Sequence, residues 1–315
     1  CMTPGARTQA TIDIIDGITE KQVQPKKFID RYFKLRRYAG SSDRRFVYHQ
    51  VYSVLRHLSR LKWWLKKSTY RVQDSPRAWV IAHTVLVTQL NLQELKALFS
   101  GEPYSPDLLS DEEHKLTDSL TFYKIDHAEM PDFVKLEFPL WIKKSIQTTW
   151  GSSLFNEMAA FNQPAPIDLR VNTLKASVND AIKALNDDFI EVNKTLLSPI
   201  GLRLNGPSHI TQSKAHKMGL IELQDEGSQL ISLMADARPG LSVVDFCAGA
   251  GGKTLSLATM MGINATITGR LVACDISKTR LQKLKKRSVR AGINPIESYI
   301  LSKNCDQFLV QEAQS

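Results

Sequence analysis

Apolar positions along this chain follow a helical period first and a strand period later. Up to about Thr121 the reading is helical. Ile12, Ile14, Ile15 and Ile18 follow two candidate N-caps, Thr3 and Thr8. Ser41 and Ser42 then predict the cap of a longer helix, in which Phe46, Val47, Val51, Val54, Leu55, Leu58 and Leu61 recur at three- and four-residue steps. A further apolar helix is expected over residues 76–89, giving a small bundle with its own core. Proline punctuates 102–106 and 131–139 as loop and linker, and one or two helices follow over 141–162.

The pattern changes after residue 163. Residues 167–172 read as a strand. A helix over 177–185 has Ser177 as its cap and Asp180 in its first turn; a β-rich stretch over 189–204 turns at Ser198-Pro-Ile-Gly201. A second helix over 211–218 leads into the strand 220–224. From residue 227 the order is helix (228–235), strand (241–244), glycine turn, helix (255–261), strand (269–275), a Ser277-capped helix (278–291) and a third strand (299–302), which is a βαβαβ half-sheet. The predicted class is α/β, with domains at 1–125 (helical), 126–162 (helical linker), 163–226 (small α+β) and 227–315 (first half of a Rossmann-like domain).

Composition narrows the function classes. Of 315 residues 43% are hydrophobic and 23% charged, as in ordinary globular chains. The longest apolar stretch, 78–87, is interrupted by His83 and Thr84 and is too short for a membrane span. The start Cys1-Met-Thr-Pro-Gly-Ala-Arg7 has no hydrophobic export region. Four cysteines without pairing and seven scattered histidines predict neither a disulfide framework nor a metal site, and a reducing cytoplasm is the expected location. The net charge of +9 permits a polyanionic partner. Between residues 21 and 71 a dense basic run, including Arg36, Arg37, Arg44 and Arg45, meets only Asp30 and Asp43, with Tyr32, Phe33, Tyr38, Trp63 and Trp64 among it. Two readings stand open: a face that binds RNA through phosphates with aromatics for base stacking, or a solvated face over an aromatic core. The basic residues Lys283, Lys285, Lys286, Arg287 and Arg290 of the 278–291 helix read as a solvated face. Arg170 and Asn172 are candidates either for RNA contact or for satisfying local backbone.

The chemistry centres on Asp245-Phe-Cys-Ala-Gly-Ala-Gly-Gly-Lys-Thr254. Its glycines let a ligand approach the backbone, and the following helix offers unpaired N–H groups. A phosphate-binding P-loop fails at its first glycine, which is Cys247, and a dinucleotide fingerprint fails at its third small residue, which is Thr254. What remains is a glycine turn between two strands that end in carboxylates, Asp245 and Asp275. The second acid stands roughly twenty residues on, the interval at which an acid meets a ribose hydroxyl. S-adenosylmethionine (SAM) is therefore the better ligand, against the alternative of a turn with no ligand. The candidate cofactor residues are Cys247, Ala248, Gly249, Ala250, Gly251, Gly252, Lys253 and Asp275.

This turn closely resembles the SAM motif of the Sun/Fmu (RsmB/Nop) family of RNA cytosine-5 methyltransferases, usually Asp-x-Cys-Ala-x-Pro/Ala-Gly-Gly-Lys-Thr. Leu169-Arg-Val-Asn-Thr-Leu-Lys175 and Leu223-Gln-Asp-Glu-Gly-Ser-Gln-Leu230 resemble family segments in the family's order. The resemblance implies a NusB-like RNA-binding bundle, an RRM-like subdomain, SAM as cofactor, Asp306 near the adenine, and ribosomal RNA, most readily 16S, as substrate. Leu140 departs from the pattern, standing where family members usually carry an acid. The family's chemistry lies in Pro-Cys and Thr-Cys-Ser segments, and no cysteine here follows Pro or Thr. The catalytic cysteines are thus expected beyond Ser315, and the chain is expected to be an N-terminal fragment, inactive alone. The rival expectation is a non-catalytic RNA-binding or ribosome-assembly protein with a SAM-like fold.

Overall fold

Thr3 Oγ1 accepts the Ala6 amide at 3.1 Å and Pro4 fills the first helical position, so α1 (Pro4–Lys21) begins at the earlier of its two candidate caps. The computed structural model describes residues 2–70, 72–206, 208–263, 266–293 and 296–302, in two compact units, 1–164 and 165–315. In the first unit α2 (Pro25–Lys34) follows, and α3 (Ser41–Arg56) starts behind Gly40, whose amide donates to Asp43 Oδ2 at 3.2 Å. Ser41 and Ser42 therefore lie inside the helix and cap nothing. The long helix expected there is two helices: the chain turns at His57, and α4 (Leu58–Lys67) begins anew because the Glu137 carboxylate accepts the Ser59 and Arg60 amides at 2.8 and 3.1 Å.

Ser75 caps α5 (Pro76–Leu86), and reciprocal Asn91–Glu94 and Ser110–Glu113 bonds open α6 (Leu92–Leu98) and α7 (Asp111–Leu120). Their apolar faces meet in one core around Ile14, Ile15, Val47, Val51, Leu61, Ile81, Leu95 and Leu116. Each such side chain contributes about 1.5–3 kcal/mol by leaving water. Met130 and Val134, the latter in α8 (Asp132–Lys135), belong to the same core, so the bundle's packing continues past residue 125. α9 (Lys143–Trp150) and α10 (Leu154–Phe161), separated at Gly151, leave Trp141, Phe155 and Phe161 exposed around them.

In the second unit β1 (Asp168–Val171), α11 (Val178–Asn186), β2 (Val192–Lys194), β3 (Gly201–Leu204), α12 (Lys214–Lys217) and β4 (Ile221–Leu223) form a βαββαβ subdomain. Its antiparallel sheet has the order β2-β3-β1-β4, with Leu169 opposite Leu202 and Leu223. Ser177 caps α11 with Asp180 bonding back, as the sequence indicates. One face of β1 places Leu169 and Val171 in a core with Leu185, Leu202 and Ile221.

α13 (Glu226–Met234) leads on to a parallel sheet of β5 (Ser242–Asp245), β8 (Arg270–Asp275) and β9 (Glu297–Ile300), in the order β5-β8-β9. α14 (Gly252–Met260) and α15 (Lys278–Ala291) make the crossovers. Between them lies a short antiparallel pair, β6 (Gly262–Ile263) and β7 (Thr266–Ile267), which the hydrophobic pattern does not predict. β8 is buried on both faces: Leu271 and Ala273 join the α14/α15 core, while Val272 and Cys274 pack with Leu301. No helix among the described residues is long and apolar enough to cross a membrane.

Candidate cofactor turn and basic face

The chain leaves β5 through a turn that two carboxylates pin. Asp275, at the end of β8 and only 6% exposed, accepts the Gly249 amide on Oδ2 at 2.8 Å and the Ser277 amide on Oδ1 at 2.7 Å. Asp245 Oδ2 accepts the Thr254 hydroxyl at 2.6 Å, tying β5 to the first turn of α14. Gly249 and Gly251 stand at φ +56° and +86°, which few other residues adopt without strain. The glycines do not share the single ligand-facing role expected of them. A Cβ on Gly251 would lie 2.1 Å from Leu284 Cδ1, so this glycine serves the approach of α15; a Cβ on Gly252 would meet nothing within 4 Å. Ala248 is buried, Ala250 half-buried, and Cys247 and Lys253 exposed. Cys274 is fully buried. Asp306, Cys1 and Cys305 lie outside the described residues.

Beneath the turn lies a buried charge cluster that the sequence reading misses. Glu222 of β4, 2% exposed, accepts Arg287 Nε and Nη2 on Oε2 at 3.1 and 2.9 Å and Arg290 Nη2 on Oε1 at 2.5 Å. Arg287 and Arg290 are therefore not part of the solvated face expected for α15; Lys283, Lys285 and Lys286 are exposed. Arg170, 1% exposed, donates from Nε to Gln224 Oε1 at 2.7 Å, and burial lowers its pKa to about 10 against the pull of Glu222. Asn172 Nδ2 donates to the Gly219 and Ala291 carbonyls, both at 2.9 Å. Both residues serve internal partners and face away from solvent. The available signal was an acid, Glu222, set in an otherwise apolar strand.

In the helical unit the aromatics divide. Phe33 and Trp64 are core, Tyr32 and Trp63 pack against it, and Tyr38 is 66% exposed. Distant acids neutralise part of the basic run: Arg60 pairs with Asp126 and Glu137, Lys62 with Asp74, and Lys67 with Glu129. Arg36 is half-buried and lies over the Tyr32 ring at 3.6 Å, while Arg37, Arg44 and Arg45 are exposed. Arg44 donates from Nε to the Ala39 carbonyl at 2.9 Å. Arg44 and Arg45 border a concavity of about 280 Å³ whose wall includes Ile29, Asp30, Phe33 and Tyr48. Elsewhere in the bundle, His83 Nε2 lies 2.7 Å from Ser53 Oγ; burial, with the His57 ring nearby, pulls the His83 pKa down to about 3.

Known proteins resemble parts of this chain. Residues 138–211 match the ferredoxin-like domain of RsmF/B-like methyltransferases, and 232–311 match the 16S rRNA methyltransferase RsmB/F family. A probable ribosomal RNA small subunit methyltransferase B from Synechocystis sp. is 33% identical over 162 residues, covering 51% of this chain and 35% of that protein. The Pseudomonas syringae pv. tomato ribosomal RNA small subunit methyltransferase B is 27% identical over 161 residues, with 51% and 35% coverage. These alignments thus span only about a third of each relative. The crystal structure of PH0851 shares the fold, with a TM-score of 0.66 and 24% identity over 96% of this chain and 70% of its own. A methyltransferase homologue from Pyrococcus horikoshii is 28% identical with a TM-score of 0.50, covering 57% of this chain and 58% of that one. With both segments matched in order and the glycine turn inside the second, the chain is similar to RsmB/F-type methyltransferases over residues 138–211 and 232–311.

Proposed function

We propose that this chain binds SAM at the 247–253 turn and RNA on the basic face of its helical unit, as part of an enzyme that methylates C5 of a cytidine in 16S ribosomal RNA. The observation that carries the cofactor reading is the Asp275 carboxylate bonded to the Gly249 amide at 2.8 Å. A polyphosphate needs those backbone amides for itself, and a fixed negative charge among them repels it. SAM brings cationic sulfonium and ammonium groups and an adenosine whose ribose suits an acid.

The open space at Gly252 and the exposed edge at Cys247 and Lys253 fit a ligand of this kind. The backbone from Cys247 to Lys253 would hold it, Asp275 would face the ribose, and Asp306 would stand near the adenine. The cofactor supplies an electrophilic methyl group. C5 of cytosine becomes nucleophilic enough to take it after a thiolate adds to C6, which requires an accessible cysteine of lowered pKa. Cys274 is sealed in the sheet and Cys247 belongs to the cofactor turn. Neither of these two cysteines has that context, and we expect no methyl transfer by this chain alone; the second reading is an RNA-binding protein without catalysis. The names of the relatives and the basic face around Arg36, Arg37, Arg44 and Arg45 support RNA as partner.

Calorimetry tests the cofactor assignment. SAM should bind and ATP should not, and Asp275→Asn, which keeps the shape but removes the charge, should weaken SAM by about 1–3 kcal/mol. Tight ATP binding without a SAM signal would overturn it.

A further inference from the structure

The Ala250 carbonyl belongs to the same peptide unit as the Gly251 amide, in the middle of the cofactor turn. Arg287 reaches it from α15, with Nη1 donating to Ala250 O at 2.8 Å. The other edge of the same guanidinium is held by Glu222 through Nε and Nη2 at 3.1 and 2.9 Å. Glu222 is in turn fixed by Arg290 and by its place in β4, where Arg170 opposes it across the sheet. The planar fork is thus gripped on one side by the βαββαβ subdomain and applied on the other to the glycine turn.

We infer that Arg287 is a positioning residue, set by Glu222, that fixes the orientation of the 250–251 peptide and so aims the turn's backbone at its ligand. The physical need is specific. Glycines at positive φ on both sides of Ala250 make this peptide plane easy to reorient, because no Cβ opposes the change. The Gly251 amide donates to the Ala248 carbonyl at 2.8 Å, a neutral bond within the turn itself. A charge-assisted bond to the opposite end of the same peptide favours one orientation more strongly. A lysine at 287 would keep a positive charge beside Glu222 but has a single nitrogen, which cannot serve both the carboxylate and the carbonyl in this geometry. The β4 acid therefore acts on the turn without touching the ligand.

The ligand readout rests on the SAM reading above, so the test has a second readout that does not. In the full 315-residue chain, Arg287→Lys should speed amide hydrogen exchange in the 247–253 segment by about tenfold, the scale of one charge-assisted bond, with β1 and β3 unchanged. The SAM dissociation constant should rise by a similar factor, about tenfold. Leu185→Ala, which loosens the α11 core away from the turn, is the structural control and should speed exchange in β1 and β3 instead. Should Arg287→Ala stay folded, millimolar guanidinium should restore protection in 247–253. Arg287→Lys with wild-type exchange in the turn, or with acceleration spread evenly through the second unit, would overturn the positioning role. Absence of SAM binding by the wild type would instead refute the cofactor reading, and the exchange result would still decide the role of Arg287.

Discussion

Two stretches of this chain are rich in arginine, and they end in different environments. Arg37, Arg44 and Arg45 of the bundle are exposed. Arg287 and Arg290 of α15 are drawn onto Glu222, an acid 65 and 68 residues earlier. Local charge density is the same kind of signal in both. What separates them is whether the topology delivers an acid from another element. In the second unit a crossover helix brings its arginines onto the strand that carries Glu222; in the first, distant acids reach Arg60, Lys62 and Lys67, while Arg37 and Arg44 stay exposed. A run of basic residues is thus evidence for a nucleic-acid face only after the acids contributed by the fold have been subtracted.

The largest effect that would break this contrast is at Glu222. Glu222→Ala leaves Arg287 and Arg290 without their anion and Arg170 buried beside them, and should cost about 3–5 kcal/mol in urea unfolding of the second unit. Lys285→Ala with Lys286→Ala, on the exposed face of the same helix, should stay within about 0.5 kcal/mol. Equal effects from the two changes would mean that the buried cluster contributes no more than a solvated face.

A smaller effect separates the units by pH. His83 has a folded pKa of about 3, below its ordinary value of 6.5, so between these values the unfolded chain binds a proton that the bundle does not. Its contribution is complete above about pH 6.5 and is lost as the pH falls toward 3. At about 1.4 kcal/mol per pH unit, the loss should be on the order of 3 kcal/mol by pH 4. Burial lowers His57 as well, so it acts in the same direction. All five tryptophans precede residue 165, so their fluorescence reports this unit. His83→Gln should flatten the acid slope, and an unchanged slope would assign it to carboxylates.

The smallest effect concerns the basic edge itself. Arg44→Ala with Arg45→Ala should change stability by less than about 1 kcal/mol. The same pair should reduce the salt-dependence slope of RNA binding by roughly one to two. Affinity that is indifferent to salt would return this edge to ordinary solvated surface.

Much of this was readable in the sequence wherever the controlling interactions are local. Ser177 with Asp180, and Ser277 ahead of Lys278–Ala291, cap their helices within a few residues, and both elements lie where the pattern puts them. The glycine turn and its flanking strands were legible for the same reason. The break at His57 was not, because the apolar period runs through it; the cause is Glu137, far along the chain. Gly251 was read as ligand-facing because the residue it accommodates, Leu284, comes from another helix. The roles of Arg170, Arg287 and Arg290 depend on Glu222, and a hydrophobic pattern says nothing about which strand lies beneath which helix.

Glu137 also sets an order of events during synthesis. The Ser59 and Arg60 amides that open α4 are satisfied by a side chain 78 and 77 residues later, and Arg60 itself donates from Nε to the same carboxylate at 2.9 Å. At the usual 5–20 residues per second a ribosome needs roughly 4 to 16 s to cover that distance. Until then the start of α4 must rely on water, and the Arg60 guanidinium lacks both of its acids until Asp126 is made and one of them until Glu137 is. The seam between α3 and α4 is therefore closed from downstream. A chain released shortly after α7 would carry every long helix of the bundle and still lack the residue that locks them.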